Sequence, residues 1–157
     1  TREDFLNPIR QKNFENTLNI LLKWGVVPIV NENDSVAVEE IRVGDNDMLS
    51  AFVATSARAD LLILLSDVDG LYTSDPNKDK SAKLVKQVER VTPEREKLAG
   101  KASLRGFGGM VSKVHAAKIA CEFGIPVIIA KSDERDVLKR VLAGEEIGTI
   151  FLAGGRK

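Results

Sequence analysis

Four short polar clusters carry residue types that bind charged small molecules, and each stands beside an apolar run. Asn31-Glu32-Asn33-Asp34 offers amides and carboxylates that can hold the ammonium and carboxylate of an amino acid. The same residue types also build plain turns. Gly44-Asp45-Asn46-Asp47 opens a helical stretch, where such side chains cap the first turn and free N–H groups equally suit an anion. Ser66-Asp67-Val68-Asp69-Gly70 brings a hydroxyl and two carboxylates that can orient a nucleotide or hold Mg²⁺ through water. Its Asp69-Gly70 pair is a turn signal as well. In Arg105-Gly106-Phe107-Gly108-Gly109-Met110, glycines let backbone amides approach phosphate oxygens, and Lys113, about one turn into the following helix, adds a full positive charge. This is not the GxxxxGK[ST] loop and no strand directly precedes it, so its meaning comes from the acidic clusters around it.

The elements that must position these clusters follow from two periods. Gln11 to Trp24 reads as a helix with Phe14, Leu18, Leu21 and Leu22 on one stripe, closed by Gly25. Val26 to Val30 is expected to be a short buried strand, and Leu61 to Leu65 another, covered on both faces. Between them, Asp45 or Asn46 caps a helix with Met48, Leu49, Phe52 and Val53 inward. Residues 108–123 form a helix with Met110, Val114, Ala117 and Cys121 inward, closed by Gly124 and followed by a strand over Pro126 to Ala130. Asp133 is expected to cap a last helix, with Val137, Leu138, Val141 and Leu142 facing the core, before a strand over Thr149 to Leu152. Ser35 to Val43 and Leu84 to Val91 alternate like strands, and Pro93 to Leu98 is a short helix. Alternating helices and strands predict an α/β protein with a largely parallel sheet, whose ligands bind beyond the carboxyl ends of the strands.

Composition removes several function classes. The 157 residues contain 23 Lys plus Arg against 23 Asp plus Glu, so there is no basic excess for a nucleic-acid face. One cysteine, Cys121, and one histidine, His115, exclude an intrachain disulfide and Cys- or His-rich metal centres. Cys121 falls in an apolar stripe and reads as core, whereas His115 falls on the outer face of its helix. No apolar run is long enough to span a bilayer, and the polar Thr1-Arg2-Glu3-Asp4 is no secretory signal, so a cytoplasmic protein is expected. The chain does not open on Met, as expected of a processed chain or a piece of a longer one.

Taken together, the clusters resemble the amino-acid kinase family, and within it the branch whose acceptor is the side-chain carboxylate of glutamate. The residues that carry the resemblance are Val27 to Asp34 with Val36 to Glu40, Gly44 to Asp47, Ser66 to Tyr72 with Asp75-Pro76, Gly106 to Met110 with Lys113, and Gly148 to Phe151. The first two are the specific part; the Ser66 to Gly70 loop is shared with uridylate kinases. The resemblance implies a three-layer α/β sandwich of the carbamate kinase-like type, with residues 1–157 a single partial domain, its nucleotide-binding portion. The strand, Gly/Ser-rich turn and lysine that open the family's domain have no counterpart here, nor does the PUA module that follows it in many members.

Position by position, the resemblance implies that Asp47 and Lys113 are catalytic, Asp47 organising the basic groups. Asp34 and Asn46 would contact glutamate, and Asn31 and Asn33 would shape that pocket. Ser66, Asp67, Gly106, Phe107, Gly108, Gly109, Met110 and Lys113 would bind ATP, with Tyr72 to Pro76 over the nucleotide and no residue assigned as a metal ligand. Phe107 stands where the family usually has threonine, and Ser112 replaces another threonine but keeps the hydroxyl. The implied reaction is ATP- and Mg²⁺-dependent phosphorylation of L-glutamate to L-glutamyl 5-phosphate, the first step towards proline, in a homo-oligomer that binds neither nucleic acid nor membrane. Glutamate is already ionised at neutral pH, so such a site needs positioning and charge neutralisation rather than a base. Other readings stay open: an acetylglutamate or uridylate kinase, or a non-catalytic nucleotide- or amino-acid-binding fragment. The chain alone is expected to be inactive.

Overall fold

The computed structural model describes residues 5, 7–31, 45–101 and 109–154. Helix α1 (Pro8–Lys23) starts earlier than its stripe predicts, because Asn7 accepts hydrogen bonds from the Ile9 and Arg10 N–H groups and Pro8 supplies a preset first turn. Helix α2 (Asp45–Ala57) and strand β1 (Leu62–Ser66) follow, then the two-residue strand β2 (Gln87–Val88) and helix α3 (Pro93–Lys101). Helix α4 (Met110–Glu122), strand β3 (Val127–Lys131), helix α5 (Val137–Leu142) and strand β4 (Thr149–Phe151) complete the described elements.

The four strands lie in the order β1-β3-β4-β2. β1 pairs with β3 and β2 with β4 in parallel, while β3 and β4 run antiparallel. The sheet is therefore mixed with mostly parallel pairings. Alternation along β3 fixes the layers, because successive side chains point to opposite faces. Val127 and Ile129 join Leu64 and Phe151 in a core with Ala51 and Ala54 of α2, Ala99 of α3, and Val114 and Ala117 of α4. Ile128 and Ala130 pack on the other face with Val137 and Val141 of α5. Helix, sheet, helix is the expected three-layer sandwich.

Three expectations are corrected. Val26 to Val30 belongs to no strand, and Val27 and Ile29 are 84% and 97% exposed. An apolar run becomes a strand only where a ladder partner takes up its N–H and C=O groups, and this run meets none among the described residues. In α5 only Val137 and Val141 are buried, whereas Leu138 and Leu142 are exposed. Six residues resting on a sheet bury a single i, i+4 row. That helix begins after Asp136, which has a left-handed backbone (φ 54°) and makes no side-chain cap, and not at a cap on Asp133. The stretch from Ser35 to Val43 lies outside the described residues.

Candidate functional site

Short connections decide where the helix ends point. α2 reaches β1 through Arg58 to Leu61, and α4 reaches β3 through Phe123 to Pro126. A helix joined so closely to the next strand runs back along it. The N-termini of α2 and α4 therefore lie at the carboxyl ends of β1 and β3, where open α/β sheets bind ligands.

Asp47, in the first turn of α2, and Lys113, in the first turn of α4, meet there. Lys113 Nζ lies 3.1 Å from Asp47 Oδ2, and both side chains are largely buried. Ser112 Oγ donates to the same carboxylate oxygen at 2.5 Å. Ser50 Oγ donates to the Asp47 carbonyl at 2.6 Å, a bond within the helix. Gly109 precedes α4 with φ 72° and ψ −145° and offers no capping side chain. Any other residue would be strained at that dihedral, and the first N–H groups of α4 keep no side-chain acceptor from the cap. The ion pair Lys118 Nζ–Glu96 Oε1, 2.8 Å, ties α4 to α3 on either side of residues 102–108 and raises the Lys118 pKa.

The loop after β1 is built from hydrogen bonds of its own. Ser66 is buried and its Oγ donates to Asp67 Oδ1 at 3.2 Å, while Asp67 and Asp69 are exposed. Tyr72 donates to Asp69 Oδ2 at 2.8 Å, and this bond, then burial, then the Asp69 charge push its phenol pKa up. Tyr72 and Leu84 form an antiparallel bridge that folds residues 73–83 into an excursion. Buried Asp75 pins its tip: Oδ1 accepts from the Asn77 N–H at 2.9 Å, and its carbonyl accepts from Lys78 and Asp79.

The sequence reading gave no site role to three contributors. Thr149 Oγ1, fully buried, accepts the Leu71 N–H at 2.9 Å and so fastens the loop to β4. Lys131 pairs in register with Ser66 and carries a positive charge to the same sheet end, where its Nζ meets Asp133 at 3.3 Å. Ser112 shares the Asp47 oxygen. The β-register that aligns Lys131 with Ser66 and the packing that brings Ser112 to Asp47 have no local sequence signal. The Thr149 contact follows from Gly148-Thr149 only once β4 is placed.

A family model described as "Amino acid kinase family" matches residues 1–131. The chain belongs to the amino acid kinase family. Curated relatives in this family include a glutamate 5-kinase of Caldanaerobacter subterraneus, 52% identical over 97% of this chain and 41% of that protein. Another is the glutamate 5-kinase of Symbiobacterium thermophilum, 52% identical over 99% of this chain and 59% of that protein. The chain thus spans about half the length of the curated relatives it matches. Among solved structures, a UMP kinase from Ureaplasma parvum aligns with a TM-score of 0.61 and 16% identity, over 88% of this chain and 52% of that one. That likeness concerns the fold alone.

Within this amino acid kinase fold, the expected site residues divide into three groups. Asp47 and Lys113 are in contact, with Gly109 and Met110 at the start of the same helix. Ser66 and Asp67 form a second group at the end of β1. Asn46 is exposed beside Asp47, and Asn31 is exposed just after Val26 to Val30. Asp34, Asn33, Gly106, Phe107 and Gly108 lie outside the described residues. His115 is exposed and Cys121 buried, as the stripe predicts.

Proposed function

We propose that this chain is the nucleotide-binding portion of a glutamate 5-kinase, which transfers the γ-phosphoryl group of ATP to the side-chain carboxylate of L-glutamate. The observation that carries the reading is the Asp47–Lys113 contact, which joins the acidic cluster opening α2 to the helix that leaves the Gly-rich loop. The supporting similarity is 52% identity to a curated glutamate 5-kinase over 97% of this chain.

In this reading Lys113 neutralises charge on the transferring phosphoryl group and Asp47 sets the position of its ammonium. Asn46 faces glutamate, with Asn31, Asn33 and Asp34 completing that pocket. Ser66 and Asp67 orient the nucleotide, with the Gly106–Met110 segment along its phosphates. Catalysis is positioning and electrostatics. The exposed carboxylates of Asp67 and Asp69 are hard oxygen donors at the sheet end and suit Mg²⁺ that arrives with ATP and keeps most of its waters. Bound there, the ion would neutralise phosphate charge. Homo-oligomerisation and a cytoplasmic location belong to the same proposal; among the described residues no helix is long and apolar enough to cross a membrane.

The test is titration of the purified chain with Mg-ATP by calorimetry, alongside glutamate-dependent ADP release by the full-length protein that contains it. Lys113→Ala is expected to weaken ATP binding and lower turnover about 100-fold or more. ATP binding that ignores this substitution, or full-length protein that turns over UMP or acetylglutamate in place of glutamate, would overturn the reading.

A further inference from the structure

Ser112 immediately precedes Lys113 in the first turn of α4, and it is 7% exposed. Its Oγ has two acceptors within reach, Asp47 Oδ2 at 2.5 Å and the Gly109 carbonyl at 2.9 Å. A hydroxyl has one proton and donates to one acceptor at a time. An ionised carboxylate is the stronger of the two, and charge-assisted O–H···O⁻ bonds are short. The proton therefore goes to Asp47, and the Gly109 carbonyl is the acceptor it turns to if the carboxylate is withdrawn.

Lys113 Nζ stands 3.1 Å from that same oxygen. Two consecutive residues thus deliver two donors to one carboxylate oxygen, but the donors differ in freedom. The lysine ammonium rides on a flexible four-carbon stem, so its own backbone does not fix where it lies. The serine oxygen is one bond from Cβ, buried, and fixed by the backbone of α4. The hydroxyl therefore ties the carboxylate to the start of α4, and the carboxylate in turn meets the ammonium.

We propose that Ser112 is a positioning residue, whose hydroxyl anchors the Asp47 carboxylate to α4 and so fixes the point at which Asp47 holds the Lys113 ammonium. The inference rests on the kinase reading above and adds to it the group that holds Asp47 in place. Without the hydroxyl the carboxylate loses this short, rigid tie to α4, and the ammonium it positions loses its register with the transferring phosphate.

The experiment is steady-state kinetics of the full-length protein containing this chain, as wild type, Ser112→Ala and Ser112→Thr, with Mg-ATP and glutamate varied separately. Ser112→Ala is expected to lower kcat about tenfold, the scale of a lost hydrogen bond to a charged group, while KM for ATP moves less than about threefold. Ser112→Thr is expected to return kcat to within about twofold of wild type. A general packing defect would lower the melting temperature of Ser112→Ala, and threonine, which is larger, would not repair it. Wild-type protein without glutamate-dependent turnover would sink the kinase reading itself. Active wild type with unchanged kcat in Ser112→Ala, or a deficit that threonine fails to restore, would overturn the role of Ser112 and leave that reading standing.

Discussion

Two side-chain acids away from the Asp47–Lys113 pair hold their protons for different reasons. Tyr72 keeps its proton because a carboxylate beside it accepts that proton in a hydrogen bond. Cys121 keeps its proton because it is buried: desolvation lifts the thiol from its ordinary 9.0 to about 11, the Val127 backbone opposing this and the Glu122 charge adding to it, while Sγ donates to the Phe151 carbonyl at 3.6 Å. The thiolate is the nucleophile, so Cys121 in the native chain should react with a disulfide reagent at pH 8 far more slowly than in urea. A stability trend follows with a definite sign. Between pH 9 and pH 11 the unfolded thiol has lost its proton while the native one keeps it, so the unfolded state binds fewer protons. Stability contributed by this group should therefore be full below pH 9 and fall as pH rises through that window. Urea titrations of wild type and Cys121→Ala at pH 8 and pH 10 would show it as a steeper loss in the wild type.

Elements are legible in a sequence where one period dominates, and this chain shows both the reach and the edge of that rule. The stripe through Val114, Ala117 and Cys121 and the apolar runs of β1 and β3 are local patterns, and the structure contains each of those elements. Direction and pairing are not local. Thr149-Ile150-Phe151 reads as a strand, but nothing in three residues says that β4 runs antiparallel to β3. Its placement depends on close backbone approach at Gly148, whose φ is 72° and where an added Cβ would lie 2.0 Å from the Ile129 carbonyl oxygen. Backbone cannot yield there, so Gly148→Ala should destabilise by about 2–4 kcal/mol in urea denaturation. Thr149→Val keeps the shape but removes the acceptor of the buried Leu71 N–H. That substitution should cost about 1–3 kcal/mol and speed hydrogen exchange at Leu71, since an unsatisfied buried donor bears its desolvation in full. A Leu71 amide still protected in Thr149→Val would mean that the loop is held by packing alone.

At the scale of the whole molecule, the residues of the candidate site were readable as separate motifs, and only the family resemblance, not their spacing, set Asp47 among the basic groups. Asp47 and Lys113 stand 66 positions apart, and only the return of α2 and α4 along the sheet brings them together. The same limit explains why, among the described residues, Val26 to Val30 forms no strand. Val26 to Val30 has the composition of a buried strand, but burial is a property of neighbours, and Val27 and Ile29 meet solvent instead. Side chains that bury nothing contribute nothing by burial, whatever their hydropathy. Replacing both with threonine keeps the β-branched shape and removes apolar surface. The double variant Val27→Thr/Ile29→Thr should therefore change the unfolding free energy of this chain by no more than about 0.5 kcal/mol, the scale of ordinary surface substitutions. It should also bind less of an apolar dye, because Trp24, Val27 and Ile29 expose large apolar side chains of the kind that attract one. A loss of about 2 kcal/mol or more would show that these two side chains are covered in solution, since that is the cost of removing packed apolar groups from a core.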